Sequence, residues 1–166
     1  MNATDEKVLI RVIEERDNEA MAAIIRAVLT EFNAAKCGTV YYDSTTDDLY
    51  NLFKKEKSAY YIAEINGKVV GGCGVYPTDG LPDGYCELVK LYLLPEARKT
   101  GLGKRLIEQS VAVAKEFGYT SMYLESLPEL TKAVSLYQNS GFTYLSHALG
   151  DSKHFGCSLW MVKALV

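Results

Sequence analysis

Apolar and polar positions alternate and recur along the chain in a way that predicts its elements one after another. Residues 10–13 form a short apolar run among charged neighbours and read as a first strand. Ala20, Ile24, Val28 and Phe32 then recur at helical spacing, so a helix is predicted over residues 18–32, with Asp17 as its cap. Residues 33–48 are irregular and polar and hold Tyr41, Tyr42 and Asp43 together; a second short helix is predicted over residues 47–57. A connection of that length inside one domain points to a functional loop. Residues 60–65 and 68–71 flank Asn66-Gly67, a pair suited to the positive φ angles of a tight hairpin turn. Gly71, Gly72 and Gly74 would weaken a plain strand, so a bulge or a close backbone approach is expected there. Residues 78–84 read as a loop, and residues 85–94 as a long strand stopped by Pro95. Alternation along it places Glu87, Val89, Leu91 and Leu93 on one face. An amphipathic helix is predicted over residues 103–117, its stripe made by Leu102, Leu106, Val113 and Phe117 and its end marked by Gly118. Residues 121–124 form a strand, residues 131–140 a helix ended by Gly141, and residues 142–145 and 157–162 the last two strands. The fold class is α/β, a mixed and mostly antiparallel sheet flanked by helices, in one domain over residues 1–166.

Composition narrows the function classes. A chain of 166 residues can bury a core without metal or disulfide support. A net charge of -3 argues against nucleic acid as a partner, because that surface requires a basic face. No apolar run approaches the roughly 18 residues of a membrane span, and the first six residues are polar and acidic, unlike a signal peptide. A cytoplasmic protein with no membrane partner is expected. Cys37, Cys73, Cys86 and Cys157 are widely spaced and are read as reduced thiols. His154 and Cys157 are too few for a structural zinc site, so no metal is expected.

The chemistry concentrates in residues 91–104, a strand followed by a short basic loop with two glycines and a helix start. A helix N-terminus offers free N–H groups and a partial positive charge, and glycine lets the backbone approach an anion closely. Arg98, Lys99, Lys104 and Arg105 add positive charge to an otherwise acidic chain. A ligand with several phosphates is implied. A Walker A loop is excluded because Gly103 is followed by Lys104-Arg105 rather than by Lys-Ser or Lys-Thr. A dinucleotide fingerprint would need a small residue where Leu106 stands.

Arg98-Lys99-Thr100-Gly101-Leu102-Gly103 resembles the Gln/Arg-x-x-Gly-x-Gly/Ala signature of the GNAT superfamily of N-acetyltransferases. A second block, Leu136-Tyr137-x-x-x-Gly141-Phe142, resembles that family's Leu-Tyr-x-x-x-Gly-Phe, at the family's spacing. The closing stretch, residues 150–161, looks like a poorly assigned bacterial subgroup. The resemblance implies an acetyl-CoA-dependent N-acetyltransferase domain over the whole chain. It implies that Leu91, Tyr92 and Leu93 bond the pantetheine arm like a neighbouring strand. The amides of Lys99, Thr100, Gly101, Leu102, Gly103 and Lys104, with Arg98 beside them, would hold the pyrophosphate. Tyr137 matches the general acid. One departure is Leu130, where many relatives carry Asn; Thr131 is the candidate to replace that polar contact.

Acetyl transfer to an amine requires a base, a stabilised carbonyl oxygen and a proton for the departing thiolate. No Gly-x-Ser-x-Gly elbow is present, in keeping with direct attack by the amine. The Tyr137 phenol, with a reference pKa of about 10 against about 8.5 for a thiol, is read as the proton source. Glu87, a carboxylate on an apolar strand, and Glu125 are the candidate bases. Tyr41, Tyr42, Asp43 and His154 are candidates to bind the acceptor, a small-molecule or peptide amine. A sensor that binds acetyl-CoA without turnover is the alternative, and a homodimer is left open.

Overall fold

The computed structural model describes residues 5–166; the N-terminal residues 1–4, part of the stretch read above as polar and acidic, lie outside the described residues. Its centre is a 7-stranded sheet in the order β1-β2-β3-β4-β5-β7-β6. The strands are β1 (Val8–Val12), β2 (Ala59–Ile65), β3 (Lys68–Tyr76), β4 (Tyr85–Leu93), β5 (Ser121–Ser126), β6 (Thr143–Leu145) and β7 (Leu159–Ala164). The helices are α1 (Asn18–Glu31), α2 (Leu49–Leu52), α3 (Leu102–Glu116) and α4 (Thr131–Asn139). All pairings are antiparallel except β4 with β5. The predicted order of elements holds. The second helix is much shorter than the predicted 47–57: a 3-10 turn, Ser44–Asp47, capped by Asp43, precedes it, Asp48 caps α2, and α2 ends at Leu52 with only turns following.

Two hydrophobic clusters lie on the two faces of the sheet. Leu102, Leu106, Ile107 and Val113 of α3 and Tyr137 of α4 pack with Cys86, Leu88, Leu91 and Leu93 of β4. Met21, Ile25, Val28 and Leu29 of α1 pack with Tyr60 and Ile62 of β2 and with Val89 and Tyr92 of β4. Strand β4 therefore changes face along its length, and the simple alternation expected for Glu87, Val89, Leu91 and Leu93 is corrected. The cause is a bulge. Gly72 and Gly74 pair with Tyr92 and Val89, so β4 spends one more residue than β3 over that interval. The extra residue is Lys90, held at φ 54 in the left-handed region, a strain of about 1 kcal/mol for a residue with a side chain.

The glycines of β3 explain what holds that strain. A Cβ at Gly72 would stand 2.5 Å from the ring of Tyr60, and one at Gly74 would stand 2.6 Å from it. The missing side chains leave room for Tyr60, which is fully buried and donates its hydroxyl to the Lys90 carbonyl at 2.7 Å. The close approach predicted from the glycine run is thus a ring, and its purpose is to fix the bulge.

Strands β4 and β5 pair only at Tyr85–Ser121, Cys86–Met122 and Glu87–Tyr123. Beyond Glu87 the two strands diverge. The opening is bordered by the part of β4 that follows the bulge, and the N-termini of α3 and α4 stand nearby.

Candidate active site

The first wall of the site is the loop between β4 and α3. Gly101 caps α3 at φ 84 with nothing within 4 Å of where a Cβ would be, so glycine is needed there for its backbone conformation. Among the described residues no carbonyl accepts from the amides of Lys99, Thr100, Gly101, Gly103 or Lys104. These unpaired N–H groups at the head of a 15-residue helix form an anion cradle that suits a pyrophosphate. A cleft of about 510 Å³ opens beside them, lined by Leu91, Tyr92, Leu93, Lys99, Gly101, Gly103, Lys104, Leu130 and Thr131 among others.

Several residues of the predicted loop play other parts. Arg98 lines this cleft, but its guanidinium donates to the Leu93 carbonyl, pairs with Glu31 at 2.7 Å and lies over the Phe32 ring. It clamps the end of α1 to the end of β4. The Leu102 side chain is buried in the core, and the Thr100 hydroxyl donates to Ala97, so each can offer a ligand only its backbone. A Cβ on Gly103 would meet the end of the Leu136 side chain at 2.7 Å, so a side chain here would press on the contact between α3 and α4.

The second wall is a cleft of about 500 Å³ lined by Tyr42, Asp43, Tyr76, Thr78, Asp79, Glu87, Val89, Lys90, Asp151, Lys153 and His154 among others. The irregular segment before β7 shapes it by bonding two loops and strand β5. Asp151 N donates to Asp79, Gly156 N donates to Gly38, and the Ser152 hydroxyl donates to Glu125. His154 Nε2 lies 2.8 Å from Asp43, and with Thr45 it holds the Asp43 carboxyl well below the usual carboxylate range. Tyr42 is 64% exposed at the rim. Tyr41 is the exception among the predicted acceptor residues: it packs against the α1 cluster beneath Arg26 rather than lining the cleft.

A small cavity of about 50 Å³ joins the two. It shares Glu87, Val89, Lys90 and His154 with the second cleft and Leu91, Tyr92 and Leu130 with the first. Glu125, Tyr137 and Cys157 also line it. Glu87 is 4% exposed, and burial raises its pKa to about 7 against the opposing effect of the Thr78 hydroxyl, which donates to it at 2.6 Å. Glu125 accepts from the Tyr123 and Ser152 hydroxyls. Tyr137 is 7% exposed with its ring edge-on to Phe142, and burial lifts its phenol well above 10. Burial likewise pushes the Cys157 thiol up to about 12. Sequence reading passed over Lys90 and Thr78. The signal for Lys90 was present, since it is the lone cation of a strand whose only other charge is Glu87; Thr78 gave none, being one polar residue in a polar loop.

Comparison with known proteins agrees with this geometry. The family model for the acetyltransferase (GNAT) family matches residues 21–142. An uncharacterized N-acetyltransferase of Escherichia coli strain K12, YjgM, is 35% identical over 99% of this chain and 99% of its own. Among solved structures, a GNAT-family acetyltransferase from Staphylococcus aureus MU50 superposes with a TM-score of 0.85 at 18% identity, covering 96% of this chain and 100% of that one. The PaiA N-acetyltransferase of Thermoplasma acidophilum, solved with coenzyme A, gives a TM-score of 0.74 at 18% identity over 95% of this chain and 99% of that one. The structural likenesses establish the fold; the family match and the full-length relative establish more, and the chain belongs to the GNAT family of acetyltransferases.

Proposed function

We propose that this enzyme moves the acetyl group of acetyl-CoA directly to the amine of an acceptor held in the Glu87 cleft. The observation that carries the reading is that Glu87 and Tyr137 line one small cavity between two larger clefts. Acetyl-CoA supplies a reactive thioester, and its pyrophosphate fits the unpaired amides at the head of α3. Asp43, Asp79, Glu87 and Asp151 outnumber Lys90 and Lys153 around the acceptor cleft, which favours a cationic amine.

Glu87, with its pKa of about 7, is largely ionised just above neutrality and basic enough to take a proton from the incoming ammonium. As the nitrogen–carbon bond forms, the carbon–sulfur bond breaks. The sulfur would leave into a space whose effect on a thiol is visible at Cys157: the thiolate form is strongly disfavoured. The leaving sulfur therefore needs a proton donor, and Tyr137 stands in the same cavity with its phenol held protonated by burial. The second proton of the attacking nitrogen restores the phenol, and the first leaves from Glu87 through the open cleft. Glu125, already accepting two hydroxyls, orients Ser152 and the segment over the cleft.

The test is twofold. Acetyl-CoA should raise the melting temperature more than NAD or ATP, as any ligand selective for the native state does. A panel of amines should then release free coenzyme A thiol. Equal effects of the three nucleotides would refute the reading. Preferential binding with no release from any amine would favour a sensor instead.

A further inference from the structure

The charged groups around the acceptor cleft are matched with one exception. Asp43 has His154 and Thr45. Glu87 has Thr78, Glu125 has Tyr123 and Ser152, and Lys153 has Asp151 at 2.7 Å. Asp79 is exposed to water. Lys90 is only partly exposed, lines both the cleft and the small cavity, and has no hydrogen bond or ion pair to any described residue through its ammonium. Only the longer-range fields of Asp43 and Glu87 favour its charge, against burial, which lowers its pKa. Its placement is also strained into being. The left-handed backbone at Lys90 is fixed by the Tyr60 hydroxyl, and the bulge brings Val89 and Lys90, neighbours in sequence, to line the same cleft as Glu87.

An unmatched cation beside the base suggests what the missing partner is. We propose that the acceptor amine carries its own carboxylate, and that Lys90 binds this carboxylate while Glu87 faces the amine. This rests on the reading of Glu87 as the base of an amine acetyltransferase. An amino acid offers both charges on one small molecule. Its ammonium meets the surplus of carboxylates in the cleft, and its carboxylate meets the single free cation there. A simple amine would leave Lys90 half-buried and unpaired in the complex, now with less water around it. Lys90 thereby becomes a specificity-determining residue.

The experiment compares matched acceptors by thiol release. Common L-α-amino acids, β-alanine and γ-aminobutyrate are set against their carboxamides and decarboxylated amines. For at least one matched set, kcat/KM should favour the carboxylate by about tenfold or more, the expected worth of a partly buried charge pair. Lys90→Met keeps most of the apolar stem, one atom shorter, and removes the charge; the ratio should fall towards one. Lys90→Arg should keep part of it. The ratio is the proper readout because Lys90 also lowers the Glu87 pKa, and a change in the base alters both acceptors alike. If plain amines react and carboxylated ones do not, or if Lys90→Met leaves the ratio unchanged, this inference is overturned while the acetyltransferase reading stands. If no amine of either kind releases thiol, both fall.

Discussion

Replacing Glu87 by Gln separates the chemical role of this residue from the strain of keeping it buried. A carboxylate moved from its ordinary 4.5 to about 7 by burial makes the ionised form less favourable in the folded protein by about 3 kcal/mol, at roughly 1.4 kcal/mol per pH unit. The sign follows from the protons bound. Between pH 4.5 and about 7 the folded state holds a proton that the unfolded state has lost, so this group lowers stability progressively across that window and by its full amount above it. Gln carries no charge and can still accept from Thr78. The variant should therefore match wild type near pH 4.5 and be more stable by about 1–3 kcal/mol at pH 8, the lower end allowing for relaxation and water. Urea denaturation at the two pH values measures this. Activity should move the opposite way. With Glu87 as base, wild-type kcat/KM should rise to a plateau above about pH 7, whereas the variant depends on free amine and should keep rising to the acceptor's own pKa. The loss should be about 10²–10⁴-fold at neutral pH and shrink by about tenfold for each pH unit above 7. A variant with wild-type rate and an unchanged pH profile would remove Glu87 from the mechanism. One that loses activity without gaining stability at pH 8 would refute the account of its burial.

Tyr137→Phe keeps the ring against Phe142 and removes only the hydroxyl; kcat should fall by about 10²–10⁴ while coenzyme binding by calorimetry barely moves. A rate within about twofold of wild type would make Tyr137 a packing residue. Gly103→Val should lower stability by about 1–3 kcal/mol through its collision with Leu136, seen as a fall in melting temperature. Gly101→Ala meets open space and loses only its left-handed preference, so its loss should be smaller, about 1 kcal/mol. The reverse order of the two melting temperatures would mean that the helix start is placed wrongly.

The elements were legible because their signals are local. The helical spacing of α1 and α3, the Asn66-Gly67 turn and the stop at Pro95 each depend on a few neighbouring residues, and all held. The resemblance of two short blocks supplied the rest of the site reading, including Tyr137. What stayed hidden depends on distant partners. The bulge at Lys90 is set by Tyr60 on another strand, so alternation along β4 alone placed Glu87 and Leu91 on one face. Arg98 reads as a phosphate ligand until Glu31 and the Leu93 carbonyl, which occupy it, are seen. Tyr41 and Tyr42 are identical in sequence terms, and only the packing of α1 separates the partly buried residue from the rim residue. Gly103 reads as a glycine for anion approach, and only the structure shows that it also lies against Leu136 of α4.

The order of strands in the sheet bears on how the enzyme is made. Strands β1 to β4 are neighbours in both sequence and space, so that half can pair as it leaves the ribosome. The other half cannot. β6 touches the sheet only through β7, and β7 is also the second neighbour of β5. Until Leu159–Ala164 has been synthesised, β5 has a single three-residue ladder to β4 and β6 has no partner at all. The segment over the Glu87 cleft directly precedes β7 and bonds to Gly38, Asp43 and Asp79 from earlier in the chain. In the proposed mechanism the pyrophosphate would be held at the head of α3, in the middle of the chain, whereas the cleft proposed for the amine is completed by residues 151–156, just before the last strand.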